Sequence, residues 1–374
     1  MDVYDILLCY EGAHMNRYGV SIRDGARRPS PVLACVIAAL AWALALSAVQ
    51  ADELAVSESV PPGRLVSVGT HRLQIYCTGH GSPTVILESG LGEVSLVWSR
   101  VQSALSRDLQ VCSYDRAGYA WSDRGPGPRT ASVIVDDLHT LLANAGVEPP
   151  YILVGHSFGG YIVQLYASRY PKQTAGVVLV DSSHPEQVQR FLEPPIRLNT
   201  APTGNGTVLN YSMPTLPPSM PPNLRTLALQ LMLQWKTRLA MTNEFLHFRE
   251  SAREVEDAEP LPDVPLVVLT RGERVFPKGY RGELMERLWM ELQDELAKLS
   301  PQSAHLIATK SGHNIELDQP ELVADAVILV TDVVRTQNSL LAHSQQEFGP
   351  VTRTWYAFDN ATWESDTLHL SLNP

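Results

Sequence analysis

The sequence has no excess of positive charge, and its residue spacings are not those typical of metal-binding or phosphate-binding sites. Lysine and arginine number 29 against 40 aspartate and glutamate residues, which gives a formal net charge of -11. Binding to a nucleic acid needs a basic surface, so this balance argues against a nucleic-acid partner. No spacing of histidine, cysteine and carboxylate is typical of a metal site, and no glycine-rich phosphate loop is convincing. We therefore expect neither a metal nor another cofactor.

Charged residues are also few overall. They make up 18% of the chain, whereas hydrophobic residues make up 44%. This composition is typical of a globular protein and not of a disordered one. With 374 residues, the chain is long enough for one large α/β domain and additional segments.

Short apolar runs alternate with segments of helical periodicity. This alternation is typical of a mostly parallel sheet covered by helices on both faces. No internal repeat is visible. The predicted strands are Leu65–Val68, Leu73–Cys77, Thr84–Leu87, Leu109–Tyr114, Tyr151–Val154, Gly176–Val180, Leu266–Leu269 and His305–Ala308; predicted helices include Val94–Leu105, Ala131–Ala145, Phe158–Tyr170 and Leu284–Leu299.

A Gly-x-Ser-x-Gly pentapeptide lies where a buried strand passes into a helix. The stretch reads Tyr151-Ile-Leu-Val-Gly-His-Ser-Phe-Gly-Gly160. Ser157 would then occupy the apex of a sharp, strained turn, which Gly155 and Gly159 permit because they have no side chains to collide. The sequence therefore predicts a nucleophile elbow with Ser157 as the nucleophile.

A serine hydroxyl needs a base to remove its proton. His313 follows the late strand His305–Ala308 and precedes a helix with Pro320 at its start. Its imidazole is therefore expected at the carboxyl edge of the sheet, the same edge as Ser157. We interpret His313 as the base.

With these motifs in this order, the chain resembles the α/β-hydrolase fold superfamily, in particular its capped serine esterase-like branch. The resemblance covers roughly residues 65 to 335 and implies a mostly parallel eight-stranded sheet with an inserted helical cap. Four stretches carry it: Glu88-Ser-Gly-Leu-Gly92, Tyr114-Asp-Arg-Ala-Gly-Tyr-Ala-Trp-Ser-Asp123, Gly155–Gly160 and Gly312-His-Asn-Ile-Glu-Leu-Asp-Gln-Pro320.

The resemblance leaves two candidates for the acid of a catalytic triad. The superfamily usually places an aspartate in a Gly-x-x-Asp turn after the Leu266–Leu269 strand, but this turn ends in Val275. Asp181 directly follows the Gly176–Val180 strand, where some members carry the acid, and it is the preferred candidate. Glu273 is the alternative, because it lies in the usual loop but out of phase.

An oxyanion hole needs two amide donors directed at the developing negative charge. The resemblance implies that Phe158, which follows the nucleophile, supplies one of them. The second is expected from the turn after the Thr84–Leu87 strand, where hydrolases usually carry His-Gly and this chain has Ser89-Gly90. We expect Leu91 to supply it, although Gly90 and Gly92 could simply permit tight packing.

Together these residues predict hydrolysis of a carboxylic ester or related acyl bond through an acyl-enzyme intermediate. The expected partner is a small, apolar acyl substrate. Two alternatives stay open: a ligand receptor that keeps the fold but hardly turns over, and an acyltransferase whose cap excludes water.

The residues outside the core divide the chain further. A Pro-rich segment and a helix separate two core strands, and we interpret them as the cap that covers the hydrolase core. We expect Asn223 to be the N-terminal capping residue of this helix. The last expected core helix is Glu321–Arg335. The predicted boundaries are 1–31 for an N-terminal region, 32–51 for a signal peptide or membrane anchor, 65–183 and 263–337 for the two parts of the hydrolase core, 184–262 for the cap and 338–374 for a C-terminal tail.

Residues 32–49 form an uncharged apolar run that follows Arg27-Arg28 and ends in small residues. This pattern predicts a secretory signal with cleavage after Ala51, and thus a periplasmic or secreted protein. The run also reaches the length of a bilayer span, so an uncleaved anchor and membrane association are alternatives. About thirty residues precede it, which is too many for an ordinary signal unless Met15 is the true start.

Export makes two of the four cysteines candidates for a disulfide. Cys77 and Cys112 lie in strands that the resemblance places next to each other, as the second and fourth of the sheet. A Cys77–Cys112 bridge is then feasible in an oxidising compartment. Two buried free thiols are the alternative.

Overall fold

The structure is a computed structural model, and it describes residues 60–192, 216–217 and 220–348. These residues belong to one compact unit, Ala55–Pro374. The predicted N-terminal region, the apolar segment 32–51, residues 193–215 and 218–219 of the predicted cap and residues 349–374 of the predicted tail lie outside the described residues. None of the helices that the structure describes combines the length and apolarity required to cross a bilayer.

Eight strands form a single sheet in the order β1-β2-β4-β3-β5-β6-β7-β8. The strand β2 pairs antiparallel with β1 and β4, and every other pair is parallel. The predicted α/β-hydrolase fold with its mostly parallel eight-stranded sheet is thus confirmed. The strands are β1 Arg64–Ser67, β2 Arg72–Thr78, β3 Thr84–Glu88, β4 Val111–Tyr114, β5 Tyr151–His156, β6 Thr174–Val180, β7 Leu266–Arg271 and β8 Ser303–Ala308.

Helices connect the strands, and several of them lie between β6 and β7. We call the chain between these two strands the helical insertion; its described helices are α4 to α7. The helices are α1 Ser99–Leu105, α2 Ala131–Asn144, α3 Gly159–Arg169, α4 Gln187–Leu192, α5 Pro222–Leu233, α6 Trp235–Leu246, α7 Phe248–Glu256, α8 Tyr280–Leu296, α9 Ile315–Asp318 and α10 Pro320–Phe348, with 3₁₀ turns at Ser95–Trp98 and Ala297–Leu299.

Successive residues of the central strands point to opposite faces of the sheet, and both faces are buried. In β3, Val85 and Leu87 belong to one apolar cluster, which also contains Val323 and Val327 of α10. Ile86 belongs to the second cluster, together with Leu138 of α2. The continuous apolar runs of the sequence therefore follow from burial on both sides, as expected for parallel strands.

Two predicted helix boundaries were wrong. The helix α5 begins at Pro222 after Pro221, and no side chain caps it, so Asn223 lies inside the helix. Pro suits this position because the first helical turn leaves its amides without intrahelical partners. The helix α10 continues past Arg335 to Phe348, into the segment predicted as tail.

A disulfide joins the second and third strands in the order of the sheet. Cys77 of β2 and Cys112 of β4 lie directly opposite each other in the antiparallel register. The structure joins them in a disulfide across this pair of strands. The bridge thus links the antiparallel hairpin β1–β2 to the parallel part of the sheet.

The helical insertion is fastened to the start of α2. The first amides of a helix have no intrahelical partner and need other acceptors. Here the Ser251 hydroxyl accepts from the Ala131 amide at 2.9 Å, and the Glu254 carboxylate accepts from the Ser132 amide at 2.8 Å. Both acceptors lie on α7, so the insertion caps a helix of the core.

Candidate active site

Ser157 lies at the sharp turn between β5 and α3. Its φ is 51°, in the left-handed region that side chains other than glycine rarely adopt. A Cβ atom at Gly155 would lie 2.6 Å from the carbonyl oxygen of Gly159, and one at Gly159 would lie 2.7 Å from the carbonyl oxygens of Glu88 and Ser89. Only glycine fits at either position, which explains the pentapeptide spacing.

Three polar side chains form one hydrogen-bonded chain at the carboxyl edge of the sheet. Nε2 of His313 lies 2.9 Å from Oγ of Ser157. Nδ1 of the same ring lies 2.6 Å from Oδ2 of Asp181. The sequence had singled out all three residues, and the structure brings them together across 156 positions of the chain.

The strand order explains this meeting. Ser157 follows β5, Asp181 follows its parallel neighbour β6, and His313 lies beyond β8 on the far side of β7. The carboxyl ends of parallel strands share one edge, so residues distant in sequence converge there. Asp181 also has a positive φ of 38°, so the chain turns sharply at both strand ends.

Asp181 is fully buried and accepts four hydrogen bonds. Oδ1 accepts from the Arg271 amide at 3.1 Å and from Nε1 of Trp289 at 2.9 Å. Oδ2 accepts from the Arg271 guanidinium at 3.1 Å in addition to His313. Burial by itself raises the pKa of Asp181, but the charge of Arg271 and the bonds from His313 and Trp289 outweigh it and lower the pKa to about 2. Asp181 is therefore ionised throughout the neutral range.

The alternative acid, Glu273, does not join this chain. Its side chain is exposed, and its backbone amide donates to the carbonyl of Ser311. At the position that usually carries the acid, the Val275 amide donates to Glu286 at 2.8 Å. The guanidinium of Arg271, at the end of β7, bridges the same Glu286 and Asp181. The geometry thus favours Asp181 over Glu273.

The turn after β3 lies beside the elbow because Glu88 pairs with Gly155 in the parallel register. Within this turn, the Gly90 amide donates to Glu93 at 2.6 Å and the Gly92 amide donates to the Tyr119 hydroxyl at 3.3 Å. Leu91 lies between them and is buried, and Phe158 precedes the first turn of α3. The two residues expected to supply oxyanion donors therefore lie on adjacent segments of backbone.

A buried arginine holds this turn from the other side. The Arg116 guanidinium donates to the carbonyl oxygens of Ser89 at 2.6 Å and Gly90 at 2.8 Å. It also pairs with Glu88 at 2.8 Å and with Glu244 of α6 at 2.9 Å. Because all three charged groups are buried, the helical insertion supplies a counter-charge for the group that fixes the turn after β3.

Sequence reasoning missed the buried contact between Arg116 and Glu244. The position of Arg116 just after β4 was the available signal, because that strand end also faces the carboxyl edge. Its partner lies 128 residues away, so no local pattern could reveal it.

Two other histidines lie apart from the hydrogen-bonded chain. His139 stacks on Tyr170 with ring centroids 3.9 Å apart. His184 accepts from the Glu186 amide and lies 3.6 Å from Glu295 of α8. Burial lowers the pKa of His184, although Glu295 opposes this effect.

The arrangement can activate a hydroxyl. Imidazole at hydrogen-bond distance can take the proton of Ser157, and a buried carboxylate on the opposite nitrogen stabilises the imidazolium that results. Ser157 is half-buried and the His313 side chain is 37% exposed, so a molecule from solvent can reach both groups.

Comparisons of sequence agree with this fold. A family model described as the alpha/beta hydrolase fold matches residues 83–239. The chain is 27% identical over 286 residues to an "AB hydrolase superfamily protein" of Gibberella zeae, a match that covers 68% of this chain and 87% of that protein. It is 39% identical over 127 residues to "Probable transporter efuK" of Hormonema carpetanum, but that match covers 32% of this chain and only 18% of the other protein.

A comparison of structures gives the same result. The chain is similar to a thermophilic esterase from Thermogutta terrifontis with a TM-score of 0.51 and 22% sequence identity. That match covers 72% of this chain and 98% of the esterase, and at this identity it shows the fold alone. With the matching family model, the strand order and the elbow, the chain belongs to the superfamily of enzymes with the α/β-hydrolase fold.

Proposed function

We propose that this protein is a serine hydrolase that cleaves a carboxylic ester or related acyl bond through a Ser157-His313-Asp181 triad. The observation that carries the proposal is the continuous chain of hydrogen bonds, 2.9 Å from Ser157 to His313 and 2.6 Å from His313 to Asp181. Each group has the chemistry its role needs: a hydroxyl nucleophile, an imidazole base and a buried carboxylate kept ionised by Arg271.

The reaction has two halves. Ser157 Oγ attacks the carbonyl carbon while its proton passes to Nε2 of His313, and the imidazolium then gives that proton to the leaving alcohol as the ester bond breaks. In the second half, water attacks the acyl-enzyme and loses a proton to His313. The ester bond to Ser157 breaks, the proton returns to Oγ, and the carboxylic acid product leaves.

The backbone amides of Leu91 and Phe158 are the proposed donors to the oxyanion. Their support is the close approach of the turn after β3 to the start of α3, where the carbonyls of Glu88 and Ser89 come within contact of Gly159. Removing one such donor costs about 10²–10³-fold in kcat in enzymes of this chemistry. Arg116 would maintain this geometry through the carbonyls of Ser89 and Gly90.

We propose an apolar small molecule as the substrate. The rings of Trp289 and His313 are nearly perpendicular, with centroids 6.0 Å apart. Phe191 packs against both Trp289 and Phe276. An aromatic cluster next to the base favours an apolar group in the substrate.

Nitrophenyl esters of increasing acyl length, together with a fluorophosphonate probe, test the proposal on the full chain. The expected result is turnover and labelling at Ser157, both lost in Ser157→Ala, with kcat lower by about 10⁴-fold or more. Folded protein that shows neither would support the receptor alternative. Labelling with turnover only after addition of an alcohol acceptor would support the acyltransferase alternative.

We further propose that the protein works in an oxidising compartment after export. The disulfide between Cys77 and Cys112 supports this, because such bridges persist outside the reducing cytosol. The apolar run 32–49 is the proposed signal or anchor. Sequencing the N-terminus of the protein isolated from its cells tests the proposal, and a mature start at Asp52 is expected; a start at Met1 or Met15 in a soluble cell extract would contradict it.

A further inference from the structure

His156, inside the elbow, has an acceptor at each ring nitrogen. Nδ1 lies 2.9 Å from a carboxylate oxygen of Glu93. Nε2 lies 2.9 Å from the backbone carbonyl oxygen of His313. A carboxylate and a carbonyl can only accept, so both nitrogens must carry protons, whereas a neutral imidazole carries one. The hydrogen-bond pattern therefore requires the charged imidazolium form, in a ring that is 1% exposed.

Two buried glutamates lie next to this charge. Glu93 contacts Nδ1 directly, and a carboxylate oxygen of Glu316 lies 3.6 Å from Nε2. Burial opposes the charge on His156, but the two carboxylates outweigh it and raise its pKa to about 10. Burial also raises the pKa of Glu316 to about 8, against the pull of His156. Below that pH the cluster holds one cation and one anion, which is a balanced charge for a buried site.

The same cluster joins two parts of the proposed catalytic machinery. Glu93 accepts from the Gly90 amide at 2.6 Å, next to Leu91 in the turn after β3. It also accepts from the Asn314 side chain at 2.8 Å, directly after His313. His156 itself holds the carbonyl of His313, so the turn after β3 and the loop after β8 are tied to the elbow through one ring.

We propose that His156 is a positioning residue that acts as a permanent imidazolium. It fixes the loop that carries His313 directly, and it fixes the turn after β3, with its proposed oxyanion donor, through Glu93. This rests on the proposed serine hydrolase function. The elbow thus presents Ser157 as the nucleophile, and the preceding residue, His156, holds His313 and the turn after β3 in place.

The ligand atoms of Glu93, His156 and Glu316 lie within 4.8 Å of one another, which the sequence spacing did not reveal and which is also compatible with a metal ion. A metal would need a neutral His156 with a lone pair directed at the ion. Here both ring nitrogens face acceptors, and both oxygens of Glu93 accept hydrogen bonds from the protein. The donor set therefore favours the imidazolium over a metal.

The test compares wild-type full chain with His156→Gln in the hydrolysis of a nitrophenyl ester. We expect kcat to fall about 10–100-fold with KM within about threefold, because the glutamine amide is neutral and has its donors on a single nitrogen, so it cannot serve both acceptors as the imidazolium does. His139→Gln, a histidine outside the cluster, should change neither. An unchanged kcat, or a KM that rises as much as kcat falls, in a folded His156→Gln variant would overturn the proposal.

A second measurement does not depend on activity or on the stability of the variant. Nitrogen NMR of wild-type protein labelled in its histidines should show two protonated ring nitrogens for His156 at pH 8, where an ordinary histidine is neutral. If the protein does not hydrolyse esters but this signal is present, the imidazolium at His156 is supported and the proposed serine hydrolase function is refuted. A neutral ring, or one equivalent of metal found by elemental analysis of the full chain and lost in His156→Gln, would refute the imidazolium.

Discussion

Replacement of Asp181 by asparagine should nearly abolish turnover while keeping the shape of the site. Asparagine has the same size, and its carbonyl can still accept from the Arg271 amide or from Trp289. It cannot supply the negative charge that faces Nδ1 of His313 at 2.6 Å in a fully buried position. Loss of that charge destabilises the imidazolium formed in the transition state. The expected loss in kcat is about 10⁴-fold, equivalent to about 5 kcal/mol in the activation free energy.

The same substitution should change how stability depends on pH. The pKa of Asp181 is lowered from 3.8 to about 2 in the folded protein. A carboxyl with a lowered folded pKa stabilises the protein above its unfolded pKa, near 4, and this contribution disappears as pH falls through about 2. The shift corresponds to about 2–3 kcal/mol. The gap in unfolding free energy between wild type and Asp181→Asn should therefore narrow from pH 4 to pH 2.

The assay is ester hydrolysis at pH 7 to 8, with urea unfolding at several pH values on the same preparations. Glu273→Gln is the matched control, because it also neutralises an acid in a candidate position and should leave kcat within about twofold. The reasoning is refuted if folded Asp181→Asn keeps activity within tenfold of wild type, or if Glu273→Gln shows the large loss instead.

Two further predictions concern the framework of the site. Glu244→Gln removes a buried counter-charge of Arg116, which holds the turn after β3, so it should lower the unfolding free energy by about 2–4 kcal/mol and reduce kcat. Urea unfolding measures the first effect and ester hydrolysis the second, with Glu250→Gln, at an exposed position, as the control. Unchanged stability would contradict the buried network. Replacing Cys77 and Cys112 by serine removes a cross-link between residues with a sequence separation of 35. In urea titrations without a reducing agent, the unfolding free energy should fall by about 3–4 kcal/mol. Equal stability of the variant and the unreduced wild type would show that the bridge is absent in solution.

The strands and the three central polar residues were predictable because each signal is local. Ser157, Asp181 and His313 all follow a short apolar strand, and parallel strands place their carboxyl ends at one edge. The sequence therefore predicted where these residues lie before any long-range contact was known. Their catalytic roles stay predictions until the substitutions are made.

The buried charges could not be predicted in the same way. Arg116 and Glu244 look like ordinary surface residues in the sequence, and only the docking of α6 against the loop after β4 makes them a buried pair. The same holds for His156, whose partners Glu93 and Glu316 come from the turn after β3 and from α9. Burial of a charge depends on a partner that is distant in sequence, and composition carries no record of that partner.

The extension of α10 has a simpler cause. After Arg335 the apolar periodicity weakens, so the pattern indicated an end to the helix. Residues 339–348 include two leucines, one alanine, two glutamines and one glutamate, all of which have a high helix propensity. Backbone preference therefore favours continuation of the helix where the apolar periodicity of the sequence weakens.

The caps that Ser251 and Glu254 place on the first amides of α2 matter for protein engineering. Exchanging the region between β6 and β7 for that of a homologue is an obvious route to altered substrate preference. Such a chimera would keep α2 with the rest of the core but would remove the acceptors for its first two amides. A successful graft must therefore carry equivalent hydroxyl and carboxylate groups, or a compensating change at Thr130, the residue that precedes α2.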